Sequence, residues 1–284
     1  MGEPFHEPVV HASVVSAVRT AFARSRTSPS TWKHRQNEGR VDPRSVWRQE
    51  ATNRTDIFRD RTAPGATKVN VHILVDGSGS MSSKDQKDLD GNVTSRINAA
   101  MDVTATLADA FRRQPQVRLN VWLHNTVGEQ GGEVAVFPII TEGRGRENVA
   151  YMGMAVGGGN GDGYAIKWVG DKVRRGHRKG EVDLLIVVSD GLPSYLSPAV
   201  YDHWDPVTGT YRNSGVALVF NAVQELRDQH TSVLSVAIAP NPNQEEMFGE
   251  DGVVPFTGDW GELAVNIGSL LGRTLLSATK DRRR

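Results

Sequence analysis

The stretch Val71–Ser82 reads VHILVDGSGSMS: apolar and β-branched residues up to Val75, then a carboxylate, then glycine and serine in alternation. Taken from Val69, the run VNVHILV has the composition of a strand buried on both faces, and the Gly/Ser cluster ends it at Asp76. In an open α/β sheet ligands collect beyond the carboxyl ends of the strands, so Asp76, Ser78 and Ser80 fall where sites form. Gly77 and Gly79 let the chain turn tightly enough to bring the three side-chain oxygens to one point. Such a cluster suits a hard divalent cation. Mg²⁺ is expected, held octahedrally at about 2.0–2.1 Å with some waters retained, and Mn²⁺ or Ca²⁺ would accept similar donors.

Outward from this stretch, strands alternate with helices. Helical periodicity covers 95–112, and VRLNVWL (117–123) and EVAVFPII (133–140) read as strands joined by a Gly-rich hairpin turn. A helix from Gly163 to about Arg175 leads into VDLLIVVS (182–189). A helix at 215–229, the strand SVLSVAIA (232–239), a short strand at 252–256 and a helix at 260–277 complete the series. The fold class expected is α/β, a doubly wound and mainly parallel sheet with helices on both faces. The leader offers one helix, Pro8 to about Arg24, then the turn-rich segment SRTSPSTWKHRQNEGR, read as a loop. Asp42-Pro43 has the form of an N-cap and first-turn proline opening a short helix through Trp47 and Arg48. The division expected is a helical and irregular N-terminal extension at 1–66, an α/β domain at 67–279 and a basic tail at 280–284.

Composition narrows the class. A length of 284 residues, 38% hydrophobic and 23% charged, with 33 basic and 33 acidic side chains, is that of a globular protein, and excludes a mostly disordered chain or a polyanion-coating one. Residues 1–68 hold 12 Lys/Arg against 7 Asp/Glu, and residues 69–284 hold 21 against 26. That makes a basic leader on an acidic body, too weak a bias for a nucleic-acid arm. No apolar run approaches the ~20 residues of a bilayer span, and the first residues lack a basic n-region, so the compartment expected is the cytoplasm. With no cysteine, disulfides, thiolate metal sites and a cysteine nucleophile are excluded.

DGSGS (76–80) matches the DxSxS signature of the von Willebrand factor A fold, and SDG (189–191) closes the next long buried strand, where that family places its distal metal-site aspartate. The chain therefore resembles that family. GNGDGYAIKWV (159–169) followed by EVDLLIVVSDGLPSY, with GRVDPRSVWR (39–48) and DIFRDR (56–61) upstream, is similar to the C-terminal part of the CobT-type cobaltochelatase subunit and to A-domain proteins encoded beside MoxR-type ATPases. The resemblance implies a metal-ion-dependent adhesion site built from Asp76, Ser78, Ser80 and Asp190, and completed by Asp162 or Asn160 where most A domains have a threonine. It implies cation-dependent protein binding without covalent chemistry. The partners would be an AAA+ ATPase of MoxR or CobS type and a client lending an acidic residue to the metal. Two other classes remain open at this point: a cobalt or magnesium chelatase subunit, and an adhesion or virion structural module.

Several residues carry two readings. Asp162 is a ligand, or only the N-cap of the helix that starts at Gly163. Tyr195, Tyr201, Trp204 and Tyr211, in the loop after SDG, rim the metal as partner-binding anchors beside Asn160, or form a small satellite core. DQKDLDG (85–91) is an accessory cation site or a solvated acidic loop. Other chemistries fail on spacing. There is no GxxxxGK[ST] for nucleotide phosphates and no GxSxG for a serine nucleophile, and HEPVVH (6–11) lacks the HExxH spacing of a zinc helix. His72 and His124, in or ending strands, read as packed or hydrogen-bonded side chains.

Overall fold

The computed structural model describes residues 5–26, 32–36, 40–46, 51–52, 56–61, 68–88, 91–127, 133–178, 181–193, 203–205, 210–212 and 214–281. In chain order these form α1 (Ala12–Arg26), β1 (Trp32–Gln36), β2 (Arg40–Val41), β3 (Phe58–Arg61), β4 (Lys68–Asp76), β5 (Gln86–Lys87), β6 (Val93–Thr94) and α2 (Arg96–Arg112). Then come β7 (Val117–Val127), β8 (Glu133–Ile140), α3 (Asp162–Gly176), β9 (Glu181–Ser189), β10 (His203–Asp205) and β11 (Thr210–Arg212). The chain closes with α4 (Ser214–Asp228), β12 (Thr231–Ile238), α5 (Pro242–Phe248), β13 (Val253–Phe256) and α6 (Trp260–Asp281).

Six strands make the main sheet in the order β13-β12-β9-β4-β7-β8, parallel throughout except for the β7–β8 hairpin. Numbered by appearance within the sheet, this is 3-2-1-4-5-6, the doubly wound order, and its switch point lies between β4 and β9. Successive side chains of a strand leave opposite faces. Val69, Val71, Ile73 and Val75 of β4 pack with α1, α2 and α6, whereas Leu74 joins Leu185 and Val187 under α3 and α4. Each such side chain, removed from water, contributes roughly 1.5–3 kcal/mol, which is why the central strands read as unbroken apolar runs.

The leader is built into this body. Val14, Val18 and Phe22 of α1 lie in the same core as the sheet, and Ala17 sits so close to Gly268 of α6 that a Cβ there would be 3.1 Å away. Ahead of the helix, His6 Nε2 is 2.8 Å from Asp102 Oδ1, the Val9 N–H donates to the same oxygen, and His11 stacks on Trp260.

Several sequence expectations shift. Trp32–Gln36, read as loop, is a strand because it pairs antiparallel with β3. β7 runs past Leu123 to Val127 because β8 pairs with its extra residues. α6 continues to Asp281, so Lys280 and Asp281 are helical and not tail. After Asp42 the chain makes a turn over Pro43–Ser45, with the Arg44 N–H donating to the Asp42 carboxylate, and is helical at Val46 and again at Ala51–Thr52, while Trp47 and Arg48 of the expected short helix lie outside the described residues. Among the described residues, no helix is long and apolar enough to cross a membrane.

Candidate metal centre

The site lies at the switch point. β4 delivers Asp76 at its last residue, and His124 of β7 pairs with it in register, so both side chains leave the same face of the sheet. β9 ends on Ser189 and hands on Asp190, and α3 begins at Asp162 against that face. Backbone bonds tie the loops together: the Gly77 N–H donates to His124 O (2.7 Å), Gly79 N–H to Gly158 O (2.9 Å) and Gly157 N–H to Gly77 O (2.9 Å). Behind Asp190, α5 steadies the third loop, with Gln244 Nε2 donating to Ser189 O and Asn241 Nδ2 to Asp190 O.

Asp76 is fully buried and its two oxygens are both engaged. Oδ1 accepts from the Ser78 N–H (2.8 Å), and Oδ2 accepts from Asn160 Nδ2 (2.7 Å) and Ser189 Oγ (3.2 Å). The Ser78 and Ser80 hydroxyls lie 3.0 Å apart. Gly79 is exposed and Ser80 half-buried, so the site reaches the surface on their side. Burial, with the fields of Asp162 and Asp190 added, pushes the Asp76 carboxyl up to about 7, against the pull of His124 and the Ser78 N–H.

Asp162 is not the helix cap. The N-cap position is Gly161, and it is Asn160 Oδ1 that accepts from the Asp162 N–H (2.9 Å). The Asp162 carboxylate turns instead into the site, taking a bond from Ser189 Oγ (3.2 Å) on Oδ2 and placing Oδ1 2.8 Å from His124 Nε2. His124 was read as an ordinary packed or hydrogen-bonded histidine; here neither ring nitrogen, nor Asp162 Oδ1, meets a partner at a hydrogen-bonding angle. Burial alone would lower the His124 pKa, but contact with Asp162 and the fields of Asp162 and Asp76 outweigh it and leave the ring above its ordinary value. Buried polar atoms without partners are rare, and these are oxygen and nitrogen donors suited to a metal. Asp76, His124 and Asp162 present ligand atoms that all lie within 4.8 Å of one another, so the residues present fit a divalent ion.

Asp190, expected on the opposite side of the ion, is fully buried and pairs through Oδ2 with Arg96 Nη1 at 2.8 Å. Arg96, at the start of α2, also binds Asp85, which commits that member of the acidic 85–91 loop to a guanidinium. The aromatic rim is only partly described. Tyr195 and Tyr201 lie outside the described residues, and Trp204 and Tyr211 are partners in the β10–β11 ladder. Hydrogen bonds join Asp76 to Ser78, Asn160 and Ser189, Ser189 to Asp162, and Ser78 to Ser80, while Asp190 pairs with Arg96 and Asp162 lies beside His124; His124, Ser189 and Arg96 are the residues among these that the sequence reading left aside.

No known protein-family model matches the chain, and no curated protein does. Solved structures of similar fold include the PilB minor pilin from Streptococcus sanguinis, with a TM-score of 0.51 and 13% identity over 77% of this chain and 64% of that one. The manganese-loaded TRAP protein of Plasmodium vivax (TM-score 0.49, 13% identity, 72% of this chain and 74% of that one) is a more distant match. So is the conserved hypothetical protein BatB of Bacteroides thetaiotaomicron (0.48, 14%, 75% and 99%). At such identities the likeness is one of fold. The chain has a von Willebrand factor A-like α/β fold, with a mainly parallel six-stranded sheet and a buried carboxylate–histidine cluster at its switch point.

Proposed function

We propose that this chain is a divalent-cation-dependent protein-binding module, working as an adaptor between an AAA+ ATPase of MoxR or CobS type and a client protein. The observation that carries the reading is the cluster itself: Asp76, His124 and Asp162, buried with donors within 4.8 Å, behind the paired Ser78 and Ser80 hydroxyls where the site reaches the surface. Two carboxylates held this close out of water repel strongly unless a cation joins them. A bound divalent ion would supply that charge and a Lewis-acidic position for a carboxylate of the client. The chain's own residues do the rest. Asn160 fixes Asp76 and the start of α3, Ser78 and Ser80 offer neutral oxygens at the mouth, and Arg96 holds Asp190 in place. The ATPase partner is supported by the similarity of residues 39–48, 56–61, 159–169 and 181–195 to CobT-type and MoxR-associated proteins.

The test is affinity capture with the full chain, with and without EDTA, comparing wild type with Asp76→Ala. Wild type with Mn²⁺ is expected to retain an AAA+ ATPase, and both EDTA and the substitution are expected to abolish that recovery. Recovery indifferent to both treatments would falsify the metal-bridged reading.

A further inference from the structure

We infer that the ion is a first-row transition metal (Mn²⁺, Fe²⁺, Co²⁺ or Zn²⁺), ligated by His124 Nε2 together with Asp76 and Asp162, in place of the Mg²⁺ that oxygen donors alone imply. This rests on the metal-dependent reading above and goes further by naming the ligand that selects the metal.

Three observations converge. First, His124 Nε2 and Asp162 Oδ1 are 2.8 Å apart yet off the angle of a hydrogen bond, and both are otherwise unpartnered. Neighbouring donors on an octahedral ion with bonds near 2.1 Å stand about 3 Å apart, so this is the spacing of two ligands that share a metal. A plain imidazole–carboxylate pair would align its N–H on the oxygen. Second, the charge at the mouth is already met. Arg96 neutralises Asp190, whereas among the described residues the Asp76 and Asp162 carboxylates face no guanidinium or ammonium, only the His124 imidazole. The place for a cation is therefore on the floor beside His124. Third, the floor is buried: Asp76 and His124 are 0% exposed and Asp162 is 3% exposed. Mg²⁺ dehydrates reluctantly and usually keeps several waters, so burial of all three donors disfavours it. Imidazole suits the later first-row metals, whose affinity for mixed nitrogen–oxygen sites exceeds that for Mn²⁺ and follows the Irving–Williams order.

The experiment loads the full chain with Mn²⁺ and reads ¹⁴N coupling by pulsed electron paramagnetic resonance, with binding measured for Mn²⁺, Zn²⁺ and Mg²⁺ separately. Direct imidazole ligation is expected to give a ¹⁴N modulation in wild type and none in His124→Gln. That substitution is also expected to weaken Mn²⁺ by more than the roughly 10–100-fold typical of an outer-sphere partner, and Mg²⁺ in excess should not displace Mn²⁺. Mn²⁺ bound without a nitrogen signal, or Mg²⁺ bound as tightly as Mn²⁺, overturns the assignment of His124 and leaves cation-dependent binding standing. Failure to bind any of the three metals overturns both. The nitrogen signal is read on wild type, so the answer does not depend on the variant folding.

Discussion

Gly158 shows how single residues decide this site. It has φ +69°, in the left-handed region that an L side chain resists, and a Cβ built on it would sit 2.1 Å from Thr126 O. Neither neighbour can retreat, since that oxygen belongs to the backbone of β7 and the Gly158 carbonyl accepts from Gly79. Gly158→Ala is expected to cost roughly 3 kcal/mol or more and to pull the 157–162 loop off the site. Urea unfolding and Mn²⁺ affinity measured together check this, and an alanine variant matching wild type in both would refute the packing described. The oxygens of Asp76, Ser78, Ser80 and Asp190 were legible because their short motifs end apolar strands. His124 was not. Its link to Asp76 is a β4–β7 register across 48 positions, and a histidine at a strand end reads the same whether it packs or ligates. Arg96 was equally hidden, because a cation opening a helix carries no signal of a carboxylate 94 residues away.

Among the elements, β4 is the one whose apolar run foretold its place, yet the same strand carries polar residues that the run conceals. On the α3-facing side, Asn70 Nδ2 donates to Asp183 (2.9 Å), and His72 Nδ1 accepts from Trp122 Nε1 (3.2 Å). Burial pulls the His72 pKa down to about 4; Asp183 opposes this and Arg118 adds to it. An unfolded histidine titrates near 6.5, so between about pH 6.5 and 4 the unfolded chain takes up a proton that the folded chain refuses. Stability contributed by the neutral ring is therefore complete above pH 6.5, lost as pH falls through that window, and level below it. The loss amounts to roughly 3 kcal/mol. Denaturant unfolding of wild type and His72→Asn from pH 7.5 to 4.5 should give curves that diverge with wild type falling faster, and parallel curves would remove the effect. Elements with weaker patterns escaped the reading. β1 exists through its pairing with β3, and α5 is a short helix of about two turns fixed by an Asn241–Gln244 capping box, a signal plain in NPNQ once a helix is sought there.

At the scale of the whole molecule, the doubly wound order follows from strands alternating with helices and right-handed crossovers, which is why the fold class was readable before any coordinate. What composition concealed was the standing of the leader. Its basic balance and turn-rich middle read as an extension that packs on the domain or on a partner, without telling which; α1 packs against α2 and α6, and its apolar side chains belong to the main core. Phe22 is the largest of these, 1% exposed and edge-on to Phe111 of α2 with ring centroids 5.8 Å apart. If α1 is part of the cooperative unit, Phe22→Ala leaves a cavity between α1 and α2, and should cost about 3–5 kcal/mol. It should do so without splitting the unfolding transition, since a helix inside one core cannot melt apart from it. Tryptophan fluorescence and far-ultraviolet circular dichroism should then give coincident denaturant curves in both proteins, shifted together in the variant. An early, separate loss of helix signal with the sheet transition unmoved would show instead that the leader only rests on the domain.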